Sequence, residues 1–145
     1  MAERSPQTLA NHGRIDPPFH YFVLPVFAIT WIVSIIFLVR HPGFFHFWIV
    51  IFNTALIVAA IRFRQYALKV QDRVIRLEER LRLATLLSDS LRPQIASLRE
   101  RQFIALRFAS DEELPALVER TLTANLAPAE IKKSIKNWRP DYWRV

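Results

Sequence analysis

The sequence predicts an all-α membrane protein: a two-helix transmembrane hairpin whose second span continues into a long cytoplasmic helix, followed by a small C-terminal helical bundle. Three observations lead there. Two apolar runs, FHYFVLPVFAITWIVSIIFLV and FFHFWIVIFNTALIVAAI, are separated only by RHPG. The second run passes without Gly or Pro into the charged, periodic stretch RFRQYALKVQDRVIRLEERLRLATLL. With two glycines in 145 residues and 52% hydrophobic residues, helix is also the economical state for the remainder.

Residues 1–18 are polar, aperiodic and hold three of the nine prolines, which predicts an extended tail ended by Pro17-Pro18. The first span, 19–39, contains no Asp, Glu, Lys or Arg. As a helix it would be about 31 Å long, enough to cross a hydrocarbon core. No small-residue cleavage site follows it, so it reads as an uncleaved anchor and not as a signal peptide. Pro25 fits the first turn of a helix starting near Tyr21, or kinks one starting at Phe19.

Arg40, His41, Pro42 and Gly43 allow only a tight reversal, so the second span, 44–61, is expected antiparallel to the first. Beyond it, Arg62–Ser88 holds seven Lys/Arg against three acids, whereas the loop holds one basic residue. Basic residues beside a span favour the cytoplasm. Both termini are therefore expected there, with the loop on the far side. Phe44 to about Leu87 then forms one helix of about 65 Å, its first part in lipid.

In residues 62–88 the pattern becomes a coiled-coil-like seam. Phe63, Ala67, Val70, Val74, Leu77, Leu81 and Ala84 recur at alternating spacings of four and three, a period of 3.5. Leu68, Ile75 and Leu83 lie beside it and widen it, which predicts neighbours on more than one side of the helix. Asp72–Arg76 and Glu78–Arg82 are acid-first i,i+4 pairs suited to an exposed face. Three heptads are marginal for a free-standing dimer, and residues 89–145 are few for an independent core. Two coverings of the seam compete, the same helix of a second chain in a parallel dimer and the chain's own C-terminal helices; the second is the expectation, with self-association left to the remaining surface.

The C-terminal region, 89–145, opens with a short amphipathic helix carrying Leu91, Ile95 and Leu98 with Pro93 in its first turn. The apolar patch Phe103, Ile104, Leu106 and Phe108 follows. Ser110-Asp-Glu-Glu113 is a capping-box pattern opening a helix with Leu114, Leu117, Val118 and Leu122, which stops near Asn125. Pro128 starts a last helix with Ile131, Ile135 and Trp138 on one face, ended by Arg139-Pro140 and the aromatic, basic tail DYWRV.

Candidate sites are few. The absence of cysteine excludes disulfides, thiolate metal sites and Cys nucleophiles. His12 and His20 belong to one end of the first span and His41 and His46 to the other, so interfacial histidines are expected, with no metal and no cofactor. Asp111, Glu112 and Glu113 are accounted for by capping; an enzyme, the third class left open, would need a polar pocket with perturbed carboxylates, and none is foreseen. Lys132, Lys136 and Arg139, with Trp138 nearby, form the candidate face for anionic lipid or a protein partner, nucleic acid being the less natural ligand for a chain tied to a membrane. Within the spans, residues whose numbers sum to about 83 share a depth. Asn53 is therefore expected to bond Thr30, with Ser34 on the same face, the alternative being that Asn53 faces a partner span in a larger complex.

The stretches ANHGRIDPPFHYFVLP, YALKVQDRVIRLEERLRL, QFIALRFASDEELPALVER and NWRPDYWRV resemble a family of small uncharacterised bacterial two-span membrane proteins, a domain of unknown function, across essentially the whole chain. The resemblance implies two spans, a cytoplasmic helical region and a bacterial origin, which makes the expected site the bacterial inner membrane. It supplies no activity and no functional residues. The residues themselves point to a non-enzymatic scaffold or accessory subunit of a membrane complex, working with lipid, other membrane subunits or its own copies. The alternative is a membrane-tethered adaptor that binds a cytoplasmic partner or anionic lipid through its basic C-terminal helix.

Overall fold

A computed structural model describes residues 7–10, 13 and 15–141 and divides them into two compact units. The first comprises residues 15–69 and the second residues 70–141 with the described part of 7–13. The fold is all-helical: helix α1 is Leu24–Arg40, α2 Phe44–Leu86, α3 Glu100–Leu106, α4 Leu114–Ala124 and α5 Pro128–Ser134. Two of these helical stretches, Pro18–Arg40 and Phe44–Leu86, are long and apolar enough to cross a membrane. The C-terminal aromatic tail after Asp141, His12 and much of the N-terminal tail lie outside the described residues.

In the first unit the helix starts before Phe19. Pro18–Val23 is π-helical and runs directly into α1, with Pro25 in the first α-helical turn. The wider turn accommodates the missing Pro25 N–H without a break, so neither of the two starts expected from sequence is the one adopted. After the reversal at 41–43, α1 and α2 touch through side chains. The Trp31 indole donates to the Thr54 hydroxyl at 2.9 Å, and Asn53 Nδ2 reaches the Thr30 carbonyl at 3.5 Å. At the other end of α1, Arg64 pairs with Asp16 at 3.3 Å and lies over the Phe19 ring.

The second unit has the hydrophobic core. Phe103, Leu106 and Phe108 sit at its centre, fully buried with Leu114, Val118 and Ile131. Leu83 and Leu87 of the α2 end pack into the same cluster. The 3-10 turn Arg92–Ser97 takes the place expected for a short helix, and Leu91 and Ile95 pack against the core from it. Helix α4 ends at Asn125 in the left-handed conformation (φ 49°), a backbone state that Asn tolerates better than most residues. The Leu126 N–H returns to the Thr121 carbonyl to close that end.

Burial corrects the assignment of the seam. Phe63, Val70, Val74, Leu77 and Leu81 are 72%, 61%, 48%, 60% and 63% exposed, whereas Ile75, Glu79, Leu83 and Leu87 are at most 6% exposed. Each residue turns a helix by about 100°, so Ile75, Glu79 and Leu83 look out half a turn away from Val74, Leu77 and Leu81. The C-terminal helices therefore cover the opposite face of α2. That face takes Ile75 and Leu83, two of the three residues expected to flank the seam, and it buries an acid, Glu79.

The last helix is also shorter than the pattern suggested. It stops at Ser134, and Ile135 is extended (ψ 124°). The chain then pairs with the segment after α3: Ala109 and Trp138 form an antiparallel bridge, Ser110 N–H donates to the Asn137 carbonyl at 3.0 Å, and Arg139 N–H donates to the Phe108 carbonyl at 2.7 Å. These bonds take the backbone groups that another helical turn would have used. Trp138 thereby packs against Phe108, the ring centres 5.1 Å apart and the planes tilted by 36°.

Candidate functional site

The charged side chains of the second unit converge on one cleft. It has a volume of about 510 Å³ and is lined by Glu78, Glu79 and Arg82 of α2, by Arg107 and Asp111 around the α3–α4 connection, and by Arg139 to Asp141. Its geometry follows from two placements. Glu79 and Arg82 are one turn apart on the covered face of α2, and the bridge between Ala109 and Trp138 brings Arg139 and Asp141 alongside Arg107.

Arg82 is the hub. Its guanidinium donates to Glu79 at 3.1 Å, to Asp111 at 2.7 Å and to the Ala109 carbonyl at 2.8 Å. One side chain thus ties α2 to the segment that starts the bridge. Arg107, nearly fully buried, donates to Asp141 at 2.9 Å and to the Ile104 carbonyl, and its guanidinium lies 4.1 Å from the Phe108 ring centre. Arg139 sits more openly at 3.6 Å from Glu79. Asp141 is held in turn by Gln7, whose amide donates to the Asp141 carbonyl at 3.1 Å and accepts the Asp141 N–H at 2.8 Å.

Burial pushes the Glu79 carboxyl above its ordinary range, although Arg82, Arg139 and Arg107 all pull the other way. Desolvation outweighs three nearby guanidinium groups. The sequence predicts no such pocket. Its sole signal was an acid and a base, Glu79 and Arg82, on a face that the heptad placed in solvent.

The other expected pairings are redistributed. Arg76 pairs with Glu100, not Asp72, and Arg82 with Glu79 and Asp111, not Glu78. The Glu113 carboxylate accepts the backbone N–H groups of Lys136 at 3.1 Å and Asn137 at 3.3 Å, and Glu113 is itself the N-cap position of α4, so the Ser110 capping box is not the one formed. Lys132 and Trp138 face Phe108, Arg139 turns to the cleft and Lys136 is exposed beyond the end of α5. These four residues do not share one helix face.

In the first unit, Asn53 and Ser34 are both buried, and Asn53 reaches Thr30 as expected but through its backbone carbonyl. The Thr30 hydroxyl is spent on Val26 of its own helix, and Ser34 likewise donates to Trp31. The shorter interhelical bond, from Trp31 to Thr54, was not anticipated. The His41 and His46 rings lie 6.3 Å apart beside Phe37, and among the described residues no three His, Cys, Asp or Glu side chains gather as a metal site.

A family model described as a family of unknown function, DUF6526, matches residues 1–145. Comparison with curated proteins and with solved structures returns no match.

Proposed function

Since the chain belongs to the DUF6526 family, which brings no activity with it, we propose that it is a non-enzymatic, membrane-anchored scaffold or accessory subunit that offers one face of α2 to a protein partner. The observation that carries this reading is the apolar stripe Val70, Val74, Leu77 and Leu81, left 48% to 63% exposed while the opposite face of the same helix is covered by α3–α5 and their connections. A soluble helix with such a stripe is an open docking surface.

Membrane anchoring rests on the two apolar helices, in each of which only 6% of the apolar window is buried, where a core helix of a soluble protein would be mostly covered. The Lys/Arg excess after Ile61 favours cytoplasmic termini in a bacterial inner membrane. The non-enzymatic reading draws on the cleft: of its carboxylates, Glu79 and Asp111 are committed to Arg82 and Asp141 to Arg107, which is the work of an ion network that serves the fold, and Glu78 alone stands outside it.

Purification of the full chain in mild detergent, followed by native mass spectrometry, tests the scaffold. The expected result is a specific complex that Val74→Asp and Leu81→Asp dissolve without unfolding the chain. A bare monomer in both wild type and variants would overturn it. Reporter fusions at the C-terminus and in the 41–43 loop should report opposite compartments.

A further inference from the structure

We propose that the partner on the exposed face of α2 is a second copy of this chain, paired in parallel and in register as a two-stranded coiled coil. The proposal rests on the scaffold reading above and names its partner. Its first support is the spacing. Val70, Val74, Leu77 and Leu81 step by four, three and four residues, the 3.5-residue period that keeps a seam facing a supercoiled neighbour. The covered face, Ile75, Glu79, Leu83 and Leu87, steps by four throughout, Leu83 and Leu87 entering the core of the short helices and Ile75 and Glu79 lining the cleft beside it. Two stripes of different period on one helix fit two different kinds of neighbour.

The second support is charge. With Val74 and Leu81 at heptad positions a, and Val70 and Leu77 at d, Arg73 falls at g and Glu78 at the following e. A parallel, in-register pair sets each g residue against the e residue five positions later on the other chain, so Arg73 of one copy meets Glu78 of the other, twice by the two-fold axis. An antiparallel pair would set the g residues Arg73 and Arg80 of one chain against those of the other. Arg73 and Glu78 are exposed, and neither is in an intrachain ion pair among the described residues. Glu78 would pair at i,i+4 with Arg82, but Arg82 is drawn to Glu79 and Asp111 on the inner side.

The third support is the anchor. Two chains inserted the same way leave the bilayer side by side and parallel, which is the orientation the charges require. Sharing a membrane also raises their effective concentration, offsetting the marginal length of the seam.

The chain has no cysteine, so single-cysteine variants of the full chain in lipid nanodiscs or native membranes report pairing directly. Under mild oxidation Leu77→Cys should form a disulfide-linked dimer, and Lys133→Cys, exposed on α5, should not. In the Leu77→Cys background Arg73→Glu or Glu78→Arg should lower the linked fraction at least five-fold, and the two together should restore it. A linked fraction unmoved by the single charge changes overturns the parallel register. Linkage at Lys133 equal to that at Leu77 marks random collision and overturns the pairing, as does a Leu77 adduct with a different protein. Flotation with lipid, measured on the same samples, separates the two readings: a chain that floats but does not link refutes the second-copy proposal alone, and one that does not float refutes the membrane scaffold.

Discussion

Between Val70 and Leu86, α2 has two apolar stripes, and they have opposite fates. Ile75, Leu83 and the neighbouring Leu87 are buried with Glu79 against the chain's own C-terminal helices; Val70, Val74, Leu77 and Leu81 look outward. The outward stripe is the more regular and the more apolar of the two. The inward one is interrupted by an acid and relies on Arg82, which bonds to Glu79, Asp111 and Ala109 at once. A helix face can therefore be chosen by a hydrogen-bonded ion network as well as by greasiness, because a core needs its polar atoms satisfied wherever the backbone turns.

Removing the hub should have the largest effect on that contrast. Arg82→Ala strips Glu79 of its nearest cation and the Ala109 carbonyl of a donor, and should cost about 3 kcal/mol of stability in detergent unfolding. Arg139→Ala removes only a half-exposed partner at 3.6 Å and should cost under about 0.5 kcal/mol. Equal losses would show that the inward face is held by burial alone.

Glu79→Gln sharpens the comparison through pH. Because burial raises the folded Glu79 pKa above its ordinary value of 4.5, the folded state holds a proton that the unfolded chain has already released. The contribution of this group is full below 4.5 and is lost as pH rises through the raised folded value. Relative to Glu79→Gln, the wild type should lose stability as pH climbs through that window. The opposite slope would mean that the arginines hold Glu79 ionised.

In the apolar half of α2, the interhelical bond from Trp31 to Thr54 makes a smaller prediction. Trp31→Phe and Thr54→Val should couple in a double-mutant cycle by about 0.6 kcal/mol or somewhat more. Thr30→Val should not couple to Asn53→Leu, since Asn53 uses the Thr30 carbonyl. Coupling through Thr30 would restore the hydroxyl contact expected from depth alone.

What could be read in advance follows from the range of the interactions involved. Continuous apolarity, the lack of breakers after Phe44 and the positions of Pro128 and Asn125 act within a few residues, and the all-helical character and the two long apolar helices were legible from them. The apolar residues of the C-terminal core were visible as stripes and as the patch Phe103 to Phe108. Which stripe of α2 they would cover was not, because a 3.5-residue period marks a surface suited to another helix without saying which chain supplies it. The cleft was hidden for a related reason. Arg107, Asp111, Arg139 and Asp141 come together only through the bridge of Ala109 with Trp138, a pairing that no local pattern announces.

The most direct test places the same charge on each stripe of the full chain and follows proteolysis of the C-terminal region. Leu83→Asp puts a carboxylate into the core and should expose α3–α5 to rapid cleavage. Leu77→Asp should leave the C-terminal region as resistant as in the wild type. If Leu77→Asp instead releases the C-terminal helices while Leu83→Asp leaves them protected, the two faces of α2 have been assigned the wrong way round.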